Sequence, residues 1–202
     1  MQSRMKGGQR REAIVKTAIQ LFSQNGFRGT TTRQLAAAVG VTEPVLYQHF
    51  KTKRDLYGAI LETKAEEGCQ KFRELLGPYL DGDDDRAFLS RLAELILDHQ
   101  RRDPGFVRLL LFSALEKHEL AELFYERQFL AFRRMVVRYL RRRARAGAIR
   151  NIDPNLAARI FLGMVSNYGL NQVLFGERIA GMSRKKIIAG MVSAFLEGVG
   201  AR

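Results

Sequence analysis

Cysteine is nearly missing from this 202-residue chain: the single Cys69 excludes an internal disulfide and fits a reducing compartment. On a helical stretch it reads as a packing residue rather than a redox sensor. Histidine is scarce too, and His49, His99 and His118 are too dispersed for an evident metal site. The acidic run DGDDD at 81–85 fails as a calcium loop. Its sixth position is Arg86 instead of Gly and its twelfth is Leu92 instead of Glu, so it reads as a solvated connection. No stretch approaches ~20 uninterrupted apolar residues, and the N-terminal MQSRMKGGQRRE has no apolar signal-peptide core. A cytoplasmic protein with no membrane partner is expected. Sustained period-two alternation is absent, which predicts no strands. Also absent are a Ser-His-Asp order, HExxH, a phosphate-cradling glycine loop and a dinucleotide fingerprint. Neither an enzyme nor a cofactor is expected.

What the chain does have is positive charge in one place. The net charge is +13, and residues 1–54 hold ten Lys or Arg against two acids, Glu12 and Glu43. A quarter of the chain thus carries most of the excess, which attracts polyanions and raises their encounter rate. The same region contains TTRQLAAAVGVTEPVLYQHF at 31–50. Thr31 and Gln34 have capping-box spacing for one helix, with Leu35, Ala36 and Val39 on one face. Gly40 follows, where only glycine reaches positive φ cheaply. Thr42 then caps a second helix, Val41 and Leu46 have hydrophobic-staple spacing, and Pro44 sits in its first turn. Leu46 and Phe50 face inward, which leaves Glu43, Pro44, Tyr47 and Gln48 outside. This is a helix-turn-helix, whose second helix enters the major groove.

The wider segment AIVKTAIQLFSQNGFRGTTTRQLAAAVGVTEPVLYQHFKTKRDLYGAI, up to Ile60, resembles the DNA-binding domain of the tetracycline-repressor (TetR) family. VLYQHFKTKRDL is similar to that family's most specific signature, and the match covers about the first sixty residues. Phosphate contacts are assigned to Thr31 and Thr32 at a helix start, a ready anion site, with Tyr47, His49 and Lys53. The family likeness implies backbone contact for the last three. Base edges are assigned to Arg33, Thr42, Glu43, Pro44 and Gln48: Gln48 suits adenine, Glu43 cytosine and Arg33 guanine.

The fold expected is all-α. A DNA-binding three-helix bundle spans 1–54, and a helical ligand-binding and dimerisation domain spans 55–202. A first helix covers about 9–25, and Phe27 closes the bundle core from the loop. A basic arm with Arg4 and Lys6 precedes it. A helix from Lys53 ends at Gly77-Pro78, and others cover about 84–102 and 118–146. Between them FVRLLLFSAL is apolar almost all round and is expected at the centre of the second domain. Asp103-Pro104 and Asp153-Pro154 each place a cap before a proline, and Ser183 caps the last helix. Nine arginines between 127 and 150, with no acid among them, read first as a solvated helix face and second as another anion-contacting surface or an entrance attractive to acidic ligands.

The resemblance further implies a homodimeric repressor on a palindromic double-stranded DNA operator, released by a small, largely apolar effector. Candidate pocket residues are Phe72, Leu76, Tyr79, Leu92, Ile96, His99, Phe106, Leu110, Phe132, Met135, Phe161, Met164 and Tyr168. The two apolar helices at the end of the chain suggest a helix-helix dimer interface, with Ala157, Phe161, Val165, Leu170, Ile188, Met191 and Phe195 as its candidates. The alternatives are a non-specific DNA-packaging protein and a helical enzyme.

Overall fold

The structure, a computed structural model, describes residues 7–149, 152–176 and 179–199. The expected arm residues Arg4 and Lys6, and Arg150, lie outside that range. Regular structure among the described residues is helical, with no strand. In chain order the helices are α1 (Gly7–Asn25), α2 (Thr32–Val39), α3 (Glu43–His49), α4 (Lys53–Leu80) and α5 (Asp85–Arg102). They continue as α6 (Pro104–Leu115), α7 (Glu119–Phe124), a π-helical turn (Tyr125–Phe129), α8 (Leu130–Arg145), α9 (Pro154–Phe175) and α10 (Arg184–Val199).

Two compact units result. One comprises the residues up to Glu66 together with Gly105–Tyr125; the other comprises Glu67–Pro104 and the residues from Glu126 onward. The boundary expected at 54/55 falls instead in the first turn of α4, a single helix that runs from the first unit into the second. The core of the first unit gathers Ile14 and Phe22 from α1, Leu35 from α2, Leu46 from α3 and Tyr57 from α4. Phe106 and Leu109 of α6 are buried in that same core. The apolar helix expected at the centre of the second domain therefore belongs to the first unit. Because it is apolar on more than one side, its pattern could not say which neighbour it would cover.

The second unit packs α5, α8, α9 and α10 around Phe88, Leu92, Tyr139, Phe161, Val192 and Phe195. Asp153 and Ser183 cap their helices as expected, and Asp84 adds a cap of its own. Asp84 Oδ1 accepts from Ala87 N at 2.8 Å, Asp153 Oδ1 from Leu156 N at 2.8 Å, and Ser183 Oγ from Lys186 N at 3.3 Å. Two helix readings need correction. Gly77-Pro78 does not stop α4, which carries Pro78 in its last turn and ends at Leu80. The absent proline N–H removes only one bond there, near an end that already leaves carbonyls unpaired. The helix expected over 118–146 is broken by the π-helical turn at Tyr125–Phe129.

The acidic run is more than a solvated connection. Arg143 Nε donates to Asp85 Oδ1 at 2.7 Å, and its Nη1 to Asp83 Oδ1 at 2.6 Å. Arg142 Nη1 donates to Asp83 Oδ1 at 2.8 Å, and its Nη2 reaches the Leu80 and Gly82 carbonyls. Tyr139, stacked on Phe88 at 3.7 Å, donates a hydrogen bond from its hydroxyl to Asp85 Oδ1 at 2.8 Å. Burial and the hydrogen bond to Asp85 raise its pKa well above the usual phenol value.

Candidate nucleic-acid interface

The turn between α2 and α3 is built from short-range bonds. Thr31 Oγ1 accepts from Gln34 N at 3.2 Å, while Thr31 N donates to Gln34 Oε1 at 2.8 Å. Both halves of the predicted capping box are therefore present. Gly40 ends α2 in the left-handed region at φ 76°, where a Cβ would be strained. Thr42 precedes α3 as expected, yet its side chain makes no capping bond. The corner is tied instead by Thr32 Oγ1, which donates to Glu43 Oε2 at 2.7 Å. Leu35, Ala36, Leu46 and Phe50 are buried beneath, which fixes the two helices against each other.

Outside, α3 presents Thr42, Pro44, Tyr47 and Gln48 to solvent, with His49 half-buried; Arg33 of α2 is exposed beside them. Tyr47 is 44% exposed, so its ring does not turn into the core. The side chains of Arg33, Thr42, Tyr47, Gln48 and His49 make no hydrogen bond to any described residue. The other candidates are committed within the unit. Thr31 and Thr32 use their hydroxyls on Gln34 and Glu43, and Glu43 is correspondingly half-buried.

Lys53 is the clearest difference between expectation and geometry. Its Nζ donates to Phe27 O at 2.8 Å and Thr30 O at 2.9 Å, and lies 4.2 Å above the Phe27 ring. Two of its three donors thus hold the loop between α1 and α2. Burial lowers its pKa, opposed by the nearby charge of Glu116.

Glu116 was not foreseen, because its partners lie 88 and 89 residues away. One carboxylate oxygen accepts from Phe27 N at 3.1 Å and the other from Arg28 N at 3.3 Å. Gly26, at φ +72°, leaves room for that carboxylate: a Cβ there would come within 2.5 Å of Glu116 Oε1. Phe27 also meets His118 at 4.4 Å and Tyr57 at 5.1 Å between ring centroids. The Tyr57 hydroxyl donates to Leu109 O at 3.1 Å, and burial pushes its pKa up to about 12. The only sign of Glu116 in the sequence is an acid at the end of an otherwise apolar helix.

A sequence profile of the bacterial regulatory proteins of the tetR family matches residues 14–60. A second, of the C-terminal domain of AefR-like transcriptional repressors, matches residues 86–198, more than half of the chain. The chain belongs to the TetR family. Members of this family are transcriptional regulators that bind DNA and small-molecule effectors; they are not enzymes. The TetR-family chain is 34% identical over 106 residues to the nucleoid occlusion factor SlmA of Marinobacter nauticus, covering 52% of this chain and 53% of that protein. It is 50% identical over 52 residues to the class C tetracycline repressor protein of Escherichia coli, covering 26% of this chain and 24% of that one. The matched portion spans about half, or less, of these curated relatives. The crystal structure of AibR in complex with isovaleryl coenzyme A and operator DNA has the same fold, with a TM-score of 0.65 and 24% identity. That likeness covers 92% of this chain and 97% of that one.

In the second unit of this TetR-family chain the structure redistributes the candidate pocket residues. Leu76, Leu92, Ile96 and Phe161 are buried core, with Phe72, Phe132, Met135 and Met164 packed against them. Phe106 and Leu110 belong to the core of the first unit. Tyr79 is 36% exposed, and His99 is half-buried 6.4 Å from the Phe72 ring. A groove of about 750 Å³ does open between the end of α5, the end of α9 and the start of α10. Of the thirteen candidates only Tyr168 lines it, beside Leu97, Arg101, Gln172, Val173, Arg184 and Ile187. No helix among the described residues is long and apolar enough to cross a membrane.

The candidate dimer residues also point the other way. Ala157, Phe161, Val165, Ile188 and Phe195 are buried in the core of the unit, and Leu170 and Met191 are half-buried. The apolar residues expected on these helices are present, and the core of the unit takes most of the candidates. Core packing claims the richest stripe first, and what remains outside on α9 includes Leu156, Ile160, Gly163, Asn167, Leu174 and Phe175, with Asn155 and Arg159.

Proposed function

We propose that this TetR-family regulator is a homodimeric repressor that reads a palindromic operator through the outer face of α3. The observation carrying this reading is the set of exposed, unpaired side chains of Arg33, Thr42, Tyr47 and Gln48 on two helices locked by Gly40 and by the Thr32–Glu43 bond. Base edges are read by Gln48 and Arg33, with Thr42 and Pro44 against the groove wall. Tyr47 and His49 take phosphates. Thr31, Thr32, Glu43 and Lys53 act mainly by holding the corner and its approach loop, and Lys53 keeps one donor for a phosphate.

Dimerisation is proposed on the outer stripe of α9, Leu156 and Ile160 with Gly163, together with the exposed Gly190 and Ala194 of α10. Leu156 is 50% exposed and Ile160 47%. A Cβ on Gly163 or Gly190 would meet nothing within 4 Å. Glycine inside a helix costs about 1 kcal/mol relative to alanine, so its presence there favours close approach of another backbone. The effector is proposed to sit in the groove at Tyr168, its apolar body on Leu97, Val173 and Ile187 and its polar end towards Arg101. AibR, which binds isovaleryl coenzyme A, offers a precedent for such a ligand on this fold. The non-specific packaging alternative predicts equal affinity for random and operator DNA.

Selection of bound sequences from random DNA tests the proposal, repeated with Gln48→Ala and in the presence of short acyl compounds. A palindromic site is expected, with one base pair per half-site relaxed by Gln48→Ala. Enrichment of no motif would refute sequence-specific reading.

A further inference from the structure

We propose that the solvent face of α8 is a second nucleic-acid surface, one that grips phosphate backbone without reading sequence. Arg134, Arg138, Arg141 and Arg145 are all exposed and separated by four, three and four residues, which places them in one stripe along one side of the helix. At ~1.5 Å per residue the stripe is about 16 Å long. No hydrogen bond or ion pair joins any of the four to a described residue. This is not for want of acids nearby. Asp83 and Asp85 reach α8, but they are used by Arg142 and Arg143 on the adjoining side. The structure therefore sorts the arginines of this helix into a paired set and an unpaired one.

Three features choose the occupant. Between Leu130 and Arg145 the helix exposes no large apolar side chain. A protein partner would be expected to find an apolar centre to pack on, and a membrane an apolar face to insert; this face offers neither. All four residues are arginine, whose planar fork binds phosphate oxygens in pairs, whereas lysine offers only a point charge. Their like charges lie at neighbouring positions and repel one another, with no acid interspersed as a face serving only solubility would have. A duplex carries about one phosphate charge per 1.7 Å of axis, so 16 Å of it supplies more phosphates than the stripe needs.

The test uses the full chain with its reading face disabled by Arg33→Ala, Tyr47→Ala and Gln48→Ala. Into that background go Arg134→Gln, Arg138→Gln, Arg141→Gln and Arg145→Gln together, with a matching four-lysine version as control. Affinity for a random duplex is measured by fluorescence anisotropy from 50 to 200 mM salt. The glutamine variant should bind at least ten-fold more weakly, with a log–log salt slope about three units shallower. The lysine version should keep most of the slope, and circular dichroism should show the same thermal transition in all three proteins. Unchanged affinity and slope in the glutamine variant would overturn the proposal. So would a loss confined to phosphatidylglycerol vesicles or polyglutamate while duplex binding stays intact. If operator selection fails but the glutamine variant still loses random DNA, the proposal for α3 falls and this one stands.

Discussion

In the first unit the bonds that shape the outer face are mostly a few residues long: Thr31 with Gln34, the Gly40 corner, and Thr32 with Glu43. In the second unit the polar ties span long stretches of chain. Arg143 reaches Asp85 across 58 residues, and Arg184 reaches Asp98 at 2.6 Å across 86. Local bonds make a small, rigid platform whose outer side chains stay free for another molecule. Long-range ion pairs instead use their side chains to hold helices together, leaving only residues they do not reach, such as Arg138 and Arg141, available. One charged residue type thus serves two ends, and spatial neighbours decide which.

The first unit has long ties as well, from Tyr57 to Leu109 and from Glu116 to the loop at Phe27 and Arg28, and the second of these can be tested against this contrast. The largest expected effect lies in the second unit. Phe161→Ala should cost about 3–5 kcal/mol in urea denaturation, because the ring is fully buried against Phe195. Leu156→Ala, half exposed on the same helix, should change stability of the unassociated chain by about 0.5 kcal/mol or less. Similar losses at both would erase the distinction between the faces of α9. Next comes Glu116→Ala, expected to lower stability by about 2 kcal/mol through two lost charge-assisted bonds. Operator affinity should fall with it, since the loop leads directly into the cap of α2. Full affinity in a destabilised variant would show the tie to be structural only.

The smallest effect is on acid stability. Burial works to raise the pKa of Asp98, but the hydrogen bond and charge of Arg184, with Arg101 and Arg102, outweigh it and hold it below the ordinary carboxylate value. Asp98 therefore adds stability above the unfolded carboxylate pKa of ~3.9, and loses it as pH falls through the lower folded value. Because the pair is partly exposed, the amount is of order 1 kcal/mol or less. Arg184→Ala should flatten the fall in melting temperature between neutral and strongly acidic pH. An acid limb identical to that of the parent protein would remove Asp98 from the account.

The reading corner was largely legible before any coordinates, since caps, a left-handed glycine and a proline in a first turn act within a few residues. Lys53 was harder: its position was evident, but not that the Phe27 and Thr30 carbonyls lie within its reach. For α6, α9 and α10 apolar content was plain and partners were not. A helix apolar on several sides has no single preferred face, and only competition among all the helices assigns one.

What the sequence determined by itself is the class of fold, most of the helix starts and the family, because each rests on local stereochemistry or on a contiguous pattern. Tertiary structure alone decided that α6 belongs with the reading unit, that Phe161 and Ile188 turn inward, and that Arg142 and Arg143 are bound while four neighbouring arginines stay free. Those outcomes depend on which side chains arrive in the same place from distant parts of the chain, and no local rule contains that information.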